Sequence, residues 1–366
     1  MKKLISLILA LTMLFALTAC GGADSSSSAG GSSAGSTSTG GSSSSGSSQQ
    51  GSGNTSGGDG GSSAPSTLPA PADPQPSDIS VGFLKGPTGM GAAHLIENAP
   101  EWLDVTLEAE PAAINAALIS GELAAAAVPT NAASILFNKT GGNIKIAAIN
   151  TLGVLYILEN GNSVSSVSDL AGKTLYATGQ GSNPEFVLNY ILRANGLEPG
   201  EDVTVEYLAS DELAAKMVSG AVDLCMLPVP AATTVLVKNA DVRTALSLTD
   251  EWDAISTDGS ILTQGCFVYR ADLVDDVTLS ALLELYETSV GFVTDAANID
   301  AAAALMETHG IVGSAAIAKK AIPDAGIAFI RGSDEIKGYL DGYFSVMFDA
   351  DPTSIGGALP GEDIYS

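Results

Sequence analysis

From residue 77 onward the chain switches repeatedly between two hydrophobic periods. Short apolar runs at 79–84, 105–108, 124–128 and 144–149 read as strands. Between them, 90–98, 111–120 and 132–138 carry apolar residues at helical spacing. In the second of these helices Pro111 suits the first turn, Ile114 and Leu118 share one face, and Gly121 stops it. A fifth apolar run, 154–158, precedes a polar turn, and the pattern then restarts. Strands are expected at 174–177, 203–208 and 222–227, and helices at 184–195, 211–219 and 231–239. Beyond Arg270 the signal is mainly helical, at 278–295, 299–309, 314–322 and 333–348. Such alternation predicts an α/β protein with parallel strands and crossover helices. One unit is echoed. Gly121 ends a helix and Pro129 follows at a strand end; Gly220 and Pro228 repeat this at the same spacing. Two similar lobes follow from the echo.

The first 76 residues follow neither period. Lys2 and Lys3 precede an apolar run over 4–17, which is short for a membrane-spanning helix. Leu17-Thr18-Ala19-Cys20 closes it and resembles a bacterial lipobox, which implies cleavage before Cys20 and lipidation of its thiol. Residues 21–76 are dominated by Ser and Gly, too poor in apolar bulk to offset chain entropy. A flexible chain of this length spans roughly 40 Å root-mean-square, suited to a spacer between a lipid surface and a domain. Gly31-Ser32-Ser33-Ala34-Gly35 matches the serine-hydrolase pattern, but it lacks the strand–turn–helix that the pattern needs.

Composition narrows the function classes. Fifteen Lys and Arg stand against 41 Asp and Glu, a formal net charge of −26, and cleavage of the signal removes two of the lysines. That charge argues against nucleic acid and against electrostatic binding to anionic lipid. Cys225 and Cys266 lie in apolar, strand-like runs and read as two buried thiols; a disulfide between them is the alternative in an oxidising compartment. His94 and His309 are too few and too isolated for a metal site, and no cofactor is implied. His309 precedes Gly310 at an expected helix end, where a capping role is the simplest reading. Gly172-Lys173-Thr174 looks like the end of a phosphate-binding loop, but Val167 stands where its first glycine is required. No His/Asp or Cys/His set suggests nucleophilic catalysis.

Segments 79–88, 123–131, 148–157, 168–174, 177–182 and 222–230 are arranged as in extracellular solute-binding proteins of ABC importers. The chain most resembles the thiamine-precursor/nitrate/sulfonate-like binding proteins of the NMT1 type. Ser168-Asp169-Leu170-Ala171-Gly172-Lys173-Thr174 is similar to their common entry into the second lobe. The resemblance implies a two-lobed type II periplasmic-binding-protein-like fold, each lobe a mixed, mostly parallel sheet flanked by helices. It implies a monomeric, extracytoplasmic receptor, held to the cell membrane through Cys20, that passes a small molecule to an ABC permease. The expected division is a signal over 1–19, the lipidated cysteine and linker over 20–76, lobe 1 over 77–152 and 269–366, and lobe 2 over 159–262. Crossings are expected near 153–158 and 263–268. Many relatives carry an acidic residue between the two prolines where this chain has Val229. Two alternatives stay open: an enzyme of pyrimidine or menaquinone-precursor synthesis on the same fold, and a surface receptor or adhesin without a transporter.

Ligands of open α/β sheets bind beyond the carboxyl ends of strands, at helix N-termini. Pro87, Thr88, Gly89 and Met90 occupy that place after the first strand, in a Gly-rich turn. Thr178, Gly179, Gln180, Gly181 and Ser182 occupy the equivalent place in the second lobe. Gly89 and Gly179 are expected to bring backbone donors to the ligand from opposite lobes. Ser182 and Glu185 form a capping-box pattern. Thr130 and Asn131 open the third helix, Asn150 and Thr151 adjoin the first crossing, and Pro228 ends a lobe-2 strand. Tyr156, Tyr176 and Phe186 lie near these loops and read either as ring-stacking groups or as packing.

Overall fold

The computed structural model describes residues 75–257 and 259–365. The signal, Cys20 and the Ser/Gly segment up to residue 74 lie outside the described residues. The chain begins β1 (Ile79–Leu84), α1 (Pro87–Met90), α2 (Ala93–Glu97), β2 (Leu103–Glu108), α3 (Pro111–Ser120), β3 (Ala125–Pro129), α4 (Thr130–Lys139), β4 (Ile144–Leu152). It continues through β5 (Leu155–Asn160), β6 (Thr174–Ala177), α5 (Asn183–Ala194), β7 (Thr204–Tyr207), α6 (Ser210–Val218) and β8 (Leu224–Pro228). Then come α7 (Ala231–Lys238), β9 (Val242–Ser247), α8 (Leu248–Ile255) and β10 (Thr263–Arg270). It ends in α9 (Asp276–Thr294), α10 (Ile299–Thr308), α11 (Ala315–Ala321), β11 (Ile327–Arg331) and α12 (Ser333–Ala350).

Two sheets form, in the orders β11-β4-β10-β3-β1-β2 and β7-β6-β8-β5-β9. Both sheets are mixed, as the resemblance implies. β1 pairs in parallel with β2 and β3, and β6 with β7 and β8. By contrast β10 runs antiparallel to β3 and β4, β11 to β4, and β5 to β8 and β9. The cause is connectivity. β5 and β10 each enter their sheet from the other one, so they start at the edge where β4, β8 and β9 end. A strand that starts there has to run counter to its neighbours. The helices lie on the sheet faces and bury the apolar stripes that predicted them, with Ile114 and Leu118 of α3 fully buried.

The crossings are shorter than the sequence suggests. Residues 155–158 already belong to β5 and 263–268 to β10, so the chain passes between sheets at Gly153-Val154 and again over α8 and the residues up to Leu262. An apolar run does not say which sheet it joins, and this is why both crossings read as longer. Three elements escape the sequence reading: β9, α8 and β11, the last inside a region that reads as helical. The helix expected over 90–98 is two short ones, because Pro87 at the first helical position starts the turn early. The echo is real in structure. Gly121 and Gly220 end α3 and α6 at φ 81° and 71°, where glycine is the least strained residue, and Pro129 and Pro228 end β3 and β8.

The core binds the two sheets into one body. Trp252 of α8 is fully buried, with its ring centroid 5.0 Å from Tyr190 of α5 and 6.0 Å from Tyr343 of α12. Thus α12, which also packs on β4 and β11, reaches helices of the other sheet. Cys225 and Cys266 are buried free thiols, one in each sheet. Burial pushes the Cys225 thiol up to about 12, and that of Cys266 also upward, so both stay protonated. His309 follows α10 and lies 2.9 Å from the Glu97 carboxylate, and the His94 ring sits 4.3 Å from that of Phe292. No described helix is long and apolar enough to cross a membrane.

Candidate functional site

The carboxyl ends of β1, β3 and β4 and the start of β10 share one edge of the six-stranded sheet. The carboxyl ends of β6, β8 and β9 and the start of β5 share one edge of the other. Since only Gly153 and Val154 separate β4 from β5, these two edges meet.

Irregular pairing marks the meeting point. Between β10 and β4, Thr263 pairs with Leu152, Gly265 with Thr151 and Cys266 with Ile149. Gln264 on one strand and Asn150 on the other therefore have no opposite residue, giving two adjacent bulges. Bulges re-aim side chains and recur next to functional sites. Asn150 Nδ2 donates to the Thr88 carbonyl at 3.2 Å and to the Tyr286 hydroxyl at 2.8 Å, while Thr151 Oγ1 donates to Asn150 Oδ1 at 3.2 Å. Gln264 Oε1 accepts from Asn183 Nδ2 at 3.0 Å, and the same amide donates to the Thr263 carbonyl at 3.1 Å. The Tyr343 hydroxyl donates to Asn183 Oδ1. Asn183 opens α5, so this network joins the two sheets. Between the bulges, Gly265 is required by space: a Cβ there would lie 2.5 Å from Thr88 Cγ2 and 2.8 Å from Asn150 Oδ1.

Three polar atoms in this cluster are buried without a partner: Thr130 Oγ1, Thr263 Oγ1 and Gln264 Nε2. Thr130 follows Pro129, which pairs with Gly265, so all three lie around one strand end. The only other such atom among the described residues is Asn115 Oδ1, on α3. A buried polar atom left unsatisfied costs about 1–3 kcal/mol, so three at one point call for an explanation. Burial also raises the pKa values of Tyr286 and Tyr343, which leaves both hydroxyls neutral donors.

The residues singled out from sequence divide into groups. Thr88, Thr130, Asn150 and Thr151 come together here. Pro228 stands at the matching edge of the second sheet, paired with Leu155, and Thr178–Ser182 lead directly into Asn183. Others are tied up in packing. Asn131 Nδ2 donates to the Ser354 carbonyl at 2.8 Å, which anchors the C-terminal turn. Met90 is fully buried in the core. Gly89 does not present an open backbone donor: its N–H bonds the Gly86 carbonyl at 3.1 Å, and a Cβ would lie 2.0 Å from the Leu84 carbonyl oxygen. Gly179, at φ 83°, lies against Pro184, which a Cβ would approach to 2.7 Å. Gln180 and Gly181 are exposed.

The capping box expected at Ser182 is absent. Its hydroxyl donates to the Gly179 carbonyl at 2.7 Å, and Glu185 takes the Gly181 N–H instead, at 2.5 Å. A capping box does form at Ser166 and Asp169. Tyr156, Tyr176 and Phe186 pack against the apolar clusters, and Val229 is buried.

Sequence reading missed Thr263, Gln264, Gly265, Asn183, Tyr286 and Tyr343. A signal existed for the first three: Thr-Gln-Gly interrupts an apolar run, and a glycine inside a strand marks a bulge or a close approach. Among the described residues no cluster of three or more His, Cys, Asp or Glu could hold a metal ion. A hollow of about 250 Å³ lined by Ser80, Asp104, Thr106, Glu108 and Glu122 lies at the β2–α3 edge, away from the bulges.

The family model described as NMT1/THI5 like matches residues 103–267. No curated protein matches the chain. Several solved structures share the fold. An ABC transporter protein from Parabacteroides distasonis is 23% identical, with a TM-score of 0.67 over 79% of this chain and 99% of its own. The periplasmic aliphatic sulphonate binding protein SsuA from Escherichia coli is 15% identical, with a TM-score of 0.61 over 78% of this chain and 94% of its own. The periplasmic nitrate-binding protein NrtA from Synechocystis is 15% identical, with a TM-score of 0.51 over 70% and 74%. The family model's match over residues 103–267 agrees with the resemblance read from the sequence, and the solved structures show that the chain is built on the type II periplasmic-binding fold.

Proposed function

We propose that the protein is a lipid-anchored solute receptor that encloses a small molecule between its two lobes and delivers it to an ABC permease. The observation that carries this reading is the group of three unpartnered buried donors beside two adjacent bulges, where the two sheets meet. On this reading a bound ligand supplies the partners that Thr130, Thr263 and Gln264 lack. It touches both lobes, so its affinity for the closed arrangement exceeds that for an open one, and binding closes the hinge at Gly153-Val154. The sulphonate- and nitrate-binding proteins on the same fold support a receptor role. Two further observations favour binding over catalysis: the described thiols are buried in sheet interiors, and both histidines are engaged away from the site. The lipobox places lipid on Cys20, and residues 21–76 then let a monomeric domain reach the permease from the outer face of the membrane.

Native mass spectrometry of the full chain, purified in mild detergent, tests this reading. One small-molecule adduct per chain is expected, carried from the cell or taken up from growth medium. A chain that leaves the cell bare and takes up nothing contradicts it.

A further inference from the structure

We infer that the site takes an uncharged, hydrogen-bonding solute and discriminates against anions; this rests on the receptor reading above and specifies its substrate class. Every side chain in the bulge network is neutral: Thr88, Asn150, Thr151, Asn183, Tyr286 and Tyr343 bond one another or backbone. No described hydrogen bond links them to a charged group. An anion buried there would have only neutral dipoles for partners, and a desolvated charge without a paired cation is far more costly than a desolvated dipole.

The arginines are committed elsewhere. The chain has four arginines, and each pairs with a carboxylate: Arg193 with Glu198, Arg243 with Glu159, Arg270 with Asp272 and Arg331 with Glu287. Three of them also stand at strand ends remote from the site. Arg243 opens β9, whose other end lies at the site edge, while Arg270 and Arg331 close β10 and β11, which start there. Lys85 follows β1 and is exposed.

The helix N-terminus that would attract an anion is also occupied. At the start of α5 the Glu185 carboxylate accepts the Gly181 N–H at 2.5 Å, so the chain places its own negative charge on the loop. A second anion there would meet that carboxylate. The unpartnered groups point to the complementary chemistry. Gln264 Nε2 offers a donor, and the two threonine hydroxyls offer a donor or an acceptor each, so the solute has to present carbonyl, hydroxyl or amide-like groups.

The test uses the full chain in mild detergent and a low-molecular-weight extract of growth medium, split on anion and cation exchangers. The fraction retained by neither column is expected to raise the thermal midpoint by about 5 °C when its solute is near 100 times Kd. That rise should be the same at low and high salt, since a neutral ligand is not screened. Stabilising activity held by the anion exchanger, or by the cation exchanger, or a rise that fades with salt, overturns the charge assignment while leaving the receptor reading intact. Stabilisation by no fraction removes the receptor reading and this inference with it.

Discussion

Gly265→Ala is expected to lower solute affinity by at least about 100-fold, equivalent to about 2.7 kcal/mol, in a protein that still folds. The added Cβ meets Thr88 Cγ2 at 2.5 Å and Asn150 Oδ1 at 2.8 Å. Both are side-chain ends, so the side chains yield and the backbone does not. Asn150 cannot move without loosening its bonds to Thr88 and Tyr286, and the donors beside Gln264 lose their arrangement. Overpacking of this kind costs about 1–3 kcal/mol of stability, which a two-lobed domain of this size should survive. The control is Gly338→Ala on α12, where a Cβ meets nothing within 4 Å and helix propensity improves. Calorimetry with the carried solute compares the two. Unchanged affinity in Gly265→Ala separates the bulges from binding.

Cys20→Ala is expected to abolish lipid attachment altogether. The apolar run before it is short for a stable span, and the segment after it is Ser/Gly-rich, so on the lipobox reading one thiol carries the anchor. Labelled fatty acid should leave the protein band, and the chain should pass from the detergent phase to the aqueous phase. The variant should bind solute as the wild type does, because every residue assigned to the proposed site falls between Thr88 and Tyr343 in sequence. Label retained on the variant refutes the lipobox reading.

How far the sequence reveals this fold depends on the kind of element. Strands such as β1, β3 and β8 read correctly because each is a short apolar run bounded by Gly or Pro. Strand direction did not read correctly for β5 and β10, since it follows from which sheet a run joins and not from its composition. β9 and β11 were missed for a related reason: their faces are only partly buried, so the apolar pattern is weak. At the site, helix-start residues such as Thr130 and loop residues such as Thr88 could be found from position alone. Gln264 and Asn183 could not be paired in advance, because they are far apart in sequence and meet only through the register shift between β10 and β4. That the Gly89 N–H bonds Gly86 was not legible, because a Gly-rich turn reads the same whether its glycines face a cleft or the end of a strand.

A crystal structure of the full-length protein, or of its released domain, with the carried solute in place tests the central claim most directly. The solute is predicted to lie at the junction of the two sheets, with Gln264 Nε2 and at least one of the Thr130 and Thr263 hydroxyls within hydrogen-bond distance and Asn150 beside it. A solute bound in the hollow at the β2–α3 edge, or anywhere that leaves those three groups unpartnered, would contradict the account.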